Sequence, residues 1–128
     1  MRSENEEKAI SFAQEIIDKF EIFDRCITNL ALDEAGIDIL LVKKLSDSKP
    51  FRLHLQHKSS KIGAQSFRKH NPCIPVWIIN KATKPHEAFT SLLNIAVAKA
   101  SEQQSHYAGF FLDKLEEINK LYKASYEF

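Results

Sequence analysis

Residues 37–58 read IDILLVKKLSDSKPFRLHLQHK, and this stretch decides the fold. "IDILLVKKL" is short, apolar and β-prone, as a buried strand should be. "SDSKP" punctuates it with Ser, Asp and Pro, the residues of a turn. "FRLHLQHK" then alternates, with Phe51, Leu53 and Leu55 on one face and Arg52, His54, Gln56 and Lys58 on the other. Two strands joined by a tight turn predict an antiparallel hairpin.

Working outward, "SENEEKAISFAQEIIDKF" predicts a first helix with Ser3 as its N-cap and acidic residues in its first turn. Ile10, Ala13, Ile17 and Phe20 form its apolar stripe, and Glu6 lies on the same line, four residues before Ile10. Glu6 reads either as a carboxylate aimed toward the core or as a first-turn residue serving the helix dipole. A first strand is expected within residues 24–32, followed by a turn at "DEAG". A second helix starts at Ser59 or Ser60 and stops before Pro72. "CIPVWII" is a further strand, with Pro75 marking its start, an edge or a bulge. Two helices follow. One carries Phe89, Leu92, Leu93, Ala96, Val97 and Ala100 on a broad apolar face, and the other spaces Phe111, Leu115, Ile118 and Tyr122 along one side. Helix, three strands, helix, strand and two helices make an α/β domain with a mixed sheet covered by helices.

With 128 residues, 44% apolar and 27% charged, the chain suits one globular domain and not a disordered one. Only three Gly and four Pro argue against an all-β fold of tight turns. No apolar run approaches the roughly 18 residues of a membrane span. The polar, acidic N-terminus does not resemble a secretory signal. Cys26 and Cys73 lack CxxC spacing, so reduced thiols in a cytoplasmic protein are expected, with Cys73 buried. The net charge of +1 is unevenly spread. Ten of the 18 Lys and Arg, but only two of the 17 Asp and Glu, lie between Asp38 and Lys84. A basic middle suggests a polyanion site, against the alternative of solvated surface lysines.

The hairpin also carries the chemistry. Asp38 opens one strand and falls near the far end of its partner. Gln56 and Lys58, two apart, leave by one face. A carboxylate, an amide oxygen and an ammonium can thus converge. The oxygens suit Mg²⁺, and a lysine can orient a water or neutralise charge on a phosphate. His54, His57, His70 and Cys73 match no zinc spacing, and His54 and His57 fall on opposite faces. Trp77 reads as core rather than as a base-stacking residue.

"DEAGIDILLVKK" followed by "FRLHLQHKSS" resembles the PD-(D/E)xK nuclease superfamily, in its Mrr-like and Holliday-junction-resolvase-like branches. The pattern is G-[ILV]-D on the second strand and [EDQ]-x-K on the third, here Gly36-Ile37-Asp38 and Gln56-His57-Lys58. The resemblance covers roughly residues 3–80. It implies a restriction-endonuclease-like mixed sheet flanked by helices, in one domain spanning 1–128 with additional C-terminal helices at about 85–128. It implies Asp38 as metal-binding aspartate, Gln56 in place of the second acidic ligand, the His57 backbone carbonyl as a further ligand, and Lys58 as catalytic lysine. Glu6, failing which Glu7, matches the first-helix glutamate.

The implied function is Mg²⁺- or Mn²⁺-dependent hydrolysis of DNA, with Arg52, Lys61, Arg68 and Lys69 on its phosphates. The alternatives are an inactive nuclease-fold domain that binds nucleic acid or a partner protein, and an unrelated α/β interaction domain. Gln56 removes a negative charge from the pattern and should weaken metal binding. Tyr107, Phe110 and Phe111 suggest core packing, or else a homodimer interface.

Overall fold

The computed structural model describes residues 4–28, 38–80 and 82–126, in two compact units, Met1–Ala82 and Thr83–Phe128. The first unit holds α1 (Glu4–Phe20), β1 (Arg25–Ile27), β2 (Ile39–Lys43), β3 (Phe51–Lys58), α2 (Lys61–His70) and β4 (Val76–Ile78). The second holds α3 (Pro85–Glu102) and α4 (Tyr107–Tyr126). The expected cap at Ser3, the turn at residues 33–36 and the end of the first strand at residues 29–32 lie outside the described residues.

The sheet runs in the order β1-β2-β3-β4. β1 and β2 are antiparallel, β2 and β3 are antiparallel, and β3 and β4 are parallel. The mixed α/β class expected from the sequence is therefore present. The β2–β3 hairpin closes through Ser46–Asp47–Ser48, where Asp47 takes φ 61°. Asp tolerates that left-handed conformation better than most residues because its short side chain can bond locally. Register pairs Ile39 with Leu55 and Leu41 with Leu53. These four side chains are fully buried, as is Trp77 on β4, whereas Arg52 and His54 are exposed.

Before β2's partner strand begins, Asp24 ties the loops together. Its Oδ2 accepts the Lys44 backbone N–H at 2.7 Å, and its Oδ1 receives Lys43 Nζ at 3.3 Å. The Lys44 N–H bond chiefly holds the Asp24 carboxyl below its usual range; burial opposes this and Lys43 adds to it. A depressed folded value makes this contribution fully present above the unfolded carboxylate range near pH 4. It is lost as pH falls through the folded value. The pair also takes Lys43 out of the basic surface.

On α1 the buried residues are Ile10, Ala13, Ile16 and Ile17. Phe20 is only half-buried, so the apolar face is centred nearer Ile16 than the expected stripe. The helix packs its middle inward, and a residue at its last turn splays toward solvent.

Ser60 is the N-cap of α2, its hydroxyl accepting the Gly63 N–H at 3.1 Å. Substituting it should be felt directly, because no acidic residue supports the first turn. Ser60→Ala is expected to cost about 1 kcal/mol, read as a lower urea midpoint at unchanged slope.

Cys73 corrects an expectation: it is exposed, not buried. "CIPVWII" is not a strand from its first residue. Residues 72–74 form a turn, Pro75 precedes the ladder, and pairing starts only at Val76. Cys26 is half-buried, and burial, helped by Asp18, pushes its thiol up to about 11. At pH 8 about one Cys26 in a thousand is then thiolate. A disulfide reagent is expected to modify Cys73 first and Cys26 more than tenfold slower. Equal rates would contradict this placement.

In the second unit, α3 buries Ala88, Phe89, Leu92, Leu93, Ala96 and Ala100. On α4, Tyr107, Phe111 and Ile118 are buried, while Leu115 and Tyr122 are half-buried. Phe110 sets its ring edge-on against Phe111 at 5.3 Å, and His86 stacks on Tyr122 at 4.1 Å. Of the cluster noted in the sequence, Tyr107 and Phe111 are core residues of this helical pair, while Phe110 is half-buried. No described helix is long and apolar enough to cross a membrane.

Candidate functional site

The hairpin brings Asp38 to the Gln56 end of β3. Ile39 pairs with Leu55 in the last rung of the β2–β3 ladder, and Asp38 is the residue just before β2. The chain is held there by the Asp38 N–H donating to the Leu55 carbonyl at 2.9 Å. Beyond this point the carboxylate replaces the strand as partner: the His57 N–H donates to Asp38 Oδ2 at 2.9 Å. A charged acceptor makes that bond stronger than an ordinary ladder bond.

The other side of β3 is fixed by β4. The Gln56 N–H donates to the Pro75 carbonyl at 3.0 Å, and the Lys58 carbonyl accepts the Ile79 N–H at 3.1 Å. Alternate residues of a strand direct their backbone groups to opposite neighbours. With Gln56 and Lys58 turned to β4, the His57 carbonyl is turned toward Asp38, where its own N–H is already seen.

By the same alternation the His57 ring leaves by the opposite face from Gln56 and Lys58. It ends against the Ile79 carbonyl, with Nε2 at 3.0 Å. A carbonyl only accepts, so Nε2 carries the proton. Burial chiefly lowers the His57 pKa, and the bond to Ile79 and the Asp38 charge partly offset it. The neutral ring therefore anchors the end of β3 to β4 from behind the site.

These side chains line one cleft of about 470 Å³. α1 contributes Asn5, Glu6, Ala9 and Ile10. The strands contribute Asp38, Gln56, His57 and Lys58, and the start and inner face of α2 contribute Ser59 and Phe67. Glu6 is exposed in the first turn of α1, not turned into the core, and is among the residues that line the cleft. Glu7 lies elsewhere, lining a separate hollow on α1 with Glu4 and Glu15.

Arg52, Lys61, Arg68, Lys69 and His70 are all exposed, none of them lining the cleft. The last three lie in the final turn of α2, where they also complement its negative end.

Among the described residues no three His, Cys, Asp or Glu side chains assemble as a metal site. A cation here would take the Asp38 carboxylate, the Gln56 amide oxygen and the His57 carbonyl, with Glu6 across the cleft. That all-oxygen set fits Mg²⁺ or Mn²⁺, which keep several waters, and does not fit zinc.

Sequence reasoning passed over Asn5, Ala9 and Phe67 as cleft residues, and Phe67 is the one that meets Lys58. Lys58 Nζ lies 5.4 Å from its ring centre. The available signal was its place three residues after Ala64, the buried residue of this helix. No protein-family model, curated protein or solved structure matches the chain.

Proposed function

We propose that this chain is a metal-dependent nuclease-like protein that hydrolyses DNA phosphodiester bonds, on a restriction-endonuclease-like fold of the PD-(D/E)xK type. The observation that carries the reading is that Asp38, Gln56, Lys58 and Glu6, from three separate elements, line one cleft. The order of α1, three antiparallel strands, α2 and a parallel β4 supports the fold assignment.

In this reading Asp38, Gln56 and the His57 carbonyl would hold Mg²⁺ or Mn²⁺, which would supply charge stabilisation at the phosphate and a more acidic water. Lys58 orients the attacking water and offsets negative charge growing on the phosphoryl oxygens. The His57 N–H keeps the Asp38 carboxylate aimed into the cleft. Arg52, Lys61, Arg68 and Lys69 contact phosphates away from the scissile bond and set register rather than sequence.

The test is incubation of the protein with labelled single-stranded, duplex and branched DNA, with Mg²⁺, with Mn²⁺ and with chelator. Cleavage that requires the metal supports the enzyme. DNA binding that weakens steeply with salt, without cleavage under any metal, assigns the protein to the binding alternative instead. Neither binding nor cleavage refutes both.

A further inference from the structure

The basic end of α2 and the Asp38 cleft belong to the reading above, but the wall behind Lys58 does not. Lys58 is half-buried, and its side chain runs along α2. A Cβ built on Gly63 would stand 3.8 Å from Lys58 Cδ, so the stem passes this glycine in ordinary contact. One helical turn further on, the ammonium reaches the ring of Phe67, 5.4 Å from its centre. Residues four apart share a helix face. Gly63 and Phe67 thus lie on one helix face beside Lys58: the stem runs past Gly63 and the ammonium lies over the Phe67 ring.

We infer that Phe67 is a positioning residue for Lys58. Its ring holds the ammonium beside Gln56, at the wall of the cleft, where a freely rotating lysine would sample solvent. A long lysine side chain has large rotamer freedom, and catalysis by a misplaced group is lost steeply with distance. The negative face of the ring attracts the cation without neutralising it, leaving the charge available to a phosphate. An acidic partner would also place Lys58, but would compete with the substrate for it. The chemical consequence rests on the nuclease reading; the contact itself does not.

The experiment uses the full chain with ¹³C-labelled lysine, and assigns Lys58 by the signal missing in Lys58→Arg. In the wild type the Lys58 ε-methylene is expected to be displaced upfield by the ring and to show cross-relaxation with Phe67 protons. Phe67→Leu should return it to the position of the solvated lysines, and Phe67→Tyr should retain the displacement.

Single-turnover cleavage should fall about three- to tenfold in Phe67→Leu and recover in Phe67→Tyr, with DNA affinity unchanged in both. A Lys58 signal without ring displacement or Phe67 cross-relaxation in the wild type overturns the inference, whether or not the variants fold. Cleavage equal in wild type and Phe67→Leu also overturns it. Loss of the ring displacement in Phe67→Leu, in a protein with no cleavage at all, supports the placement of Lys58 and refutes the nuclease reading alone.

Discussion

Lys58→Ala is expected to lower metal-dependent DNA cleavage by about 10³-fold while leaving DNA affinity within a few-fold of the wild type. The side chain contributes one positive charge to a surface that already has Arg52, Lys61, Arg68 and Lys69, so its share of phosphate binding is small. Its share of the proposed chemistry is expected to be large because it lines the same cleft as Asp38, Gln56 and Glu6. The cleft is partly shielded, and a fixed charge there acts more strongly than one in open water. Lys58→Arg should not restore the rate, because a guanidinium stacked on the Phe67 ring presents a broad planar fork in place of the compact ammonium point charge and cannot give up a proton. The measurement is single-turnover cleavage at saturating protein, with binding read separately in the presence of chelator. Equal losses in binding and cleavage would make Lys58 one more phosphate contact.

The second large effect is at Asp38, and two substitutions separate its two roles. Asp38→Asn keeps an oxygen to accept the His57 N–H, which the carboxylate now receives at 2.9 Å, and removes the charge. Its fold should survive, while Mn²⁺ affinity should fall by more than about 100-fold, since even outer-shell partners of a metal ligand are worth 10–100-fold. Cleavage should fall with it. Asp38→Ala also leaves the His57 N–H without its acceptor, adding a stability loss of about 1–3 kcal/mol. Calorimetric metal titration and urea unfolding of the two variants check both statements. If Asp38→Asn binds Mn²⁺ as the wild type does, Asp38 is a structural cap for the end of β3 and nothing more.

Much of this site could be read from the hairpin. Period-2 alternation in residues 51–58 put Leu53 and Leu55 in the core and Gln56 and Lys58 together, and both follow from strand geometry. That Asp38 would fall near the Gln56–Lys58 end of β3 required only a hairpin with its turn near Asp47. Glu6 was harder, because a first-turn glutamate serves the helix dipole equally well whether or not a cleft lies beside it.

The errors have local causes. "CIPVWII" is apolar enough to suggest buried strand throughout, yet Pro72 and Pro75 bracket a turn that leaves Cys73 exposed. Ile16 was overlooked on α1 because a strict stripe of single residues underestimates a broad buried face. The Lys58–Phe67 contact joins a strand to the helix after it, and no periodicity within either segment encodes such a meeting. The same holds for the His57 ring against Ile79.

The most direct measurement of the central claim needs no substrate. Mn²⁺ titrated into ¹⁵N-labelled protein should broaden the amide signals of Asp38, Gln56, His57 and Lys58 first, at metal concentrations that leave the acidic outer face of α1 around Glu7 and Glu15 sharp. Broadening confined to that outer face, with the Asp38–His57 amides unaffected, would contradict a metal site in the cleft.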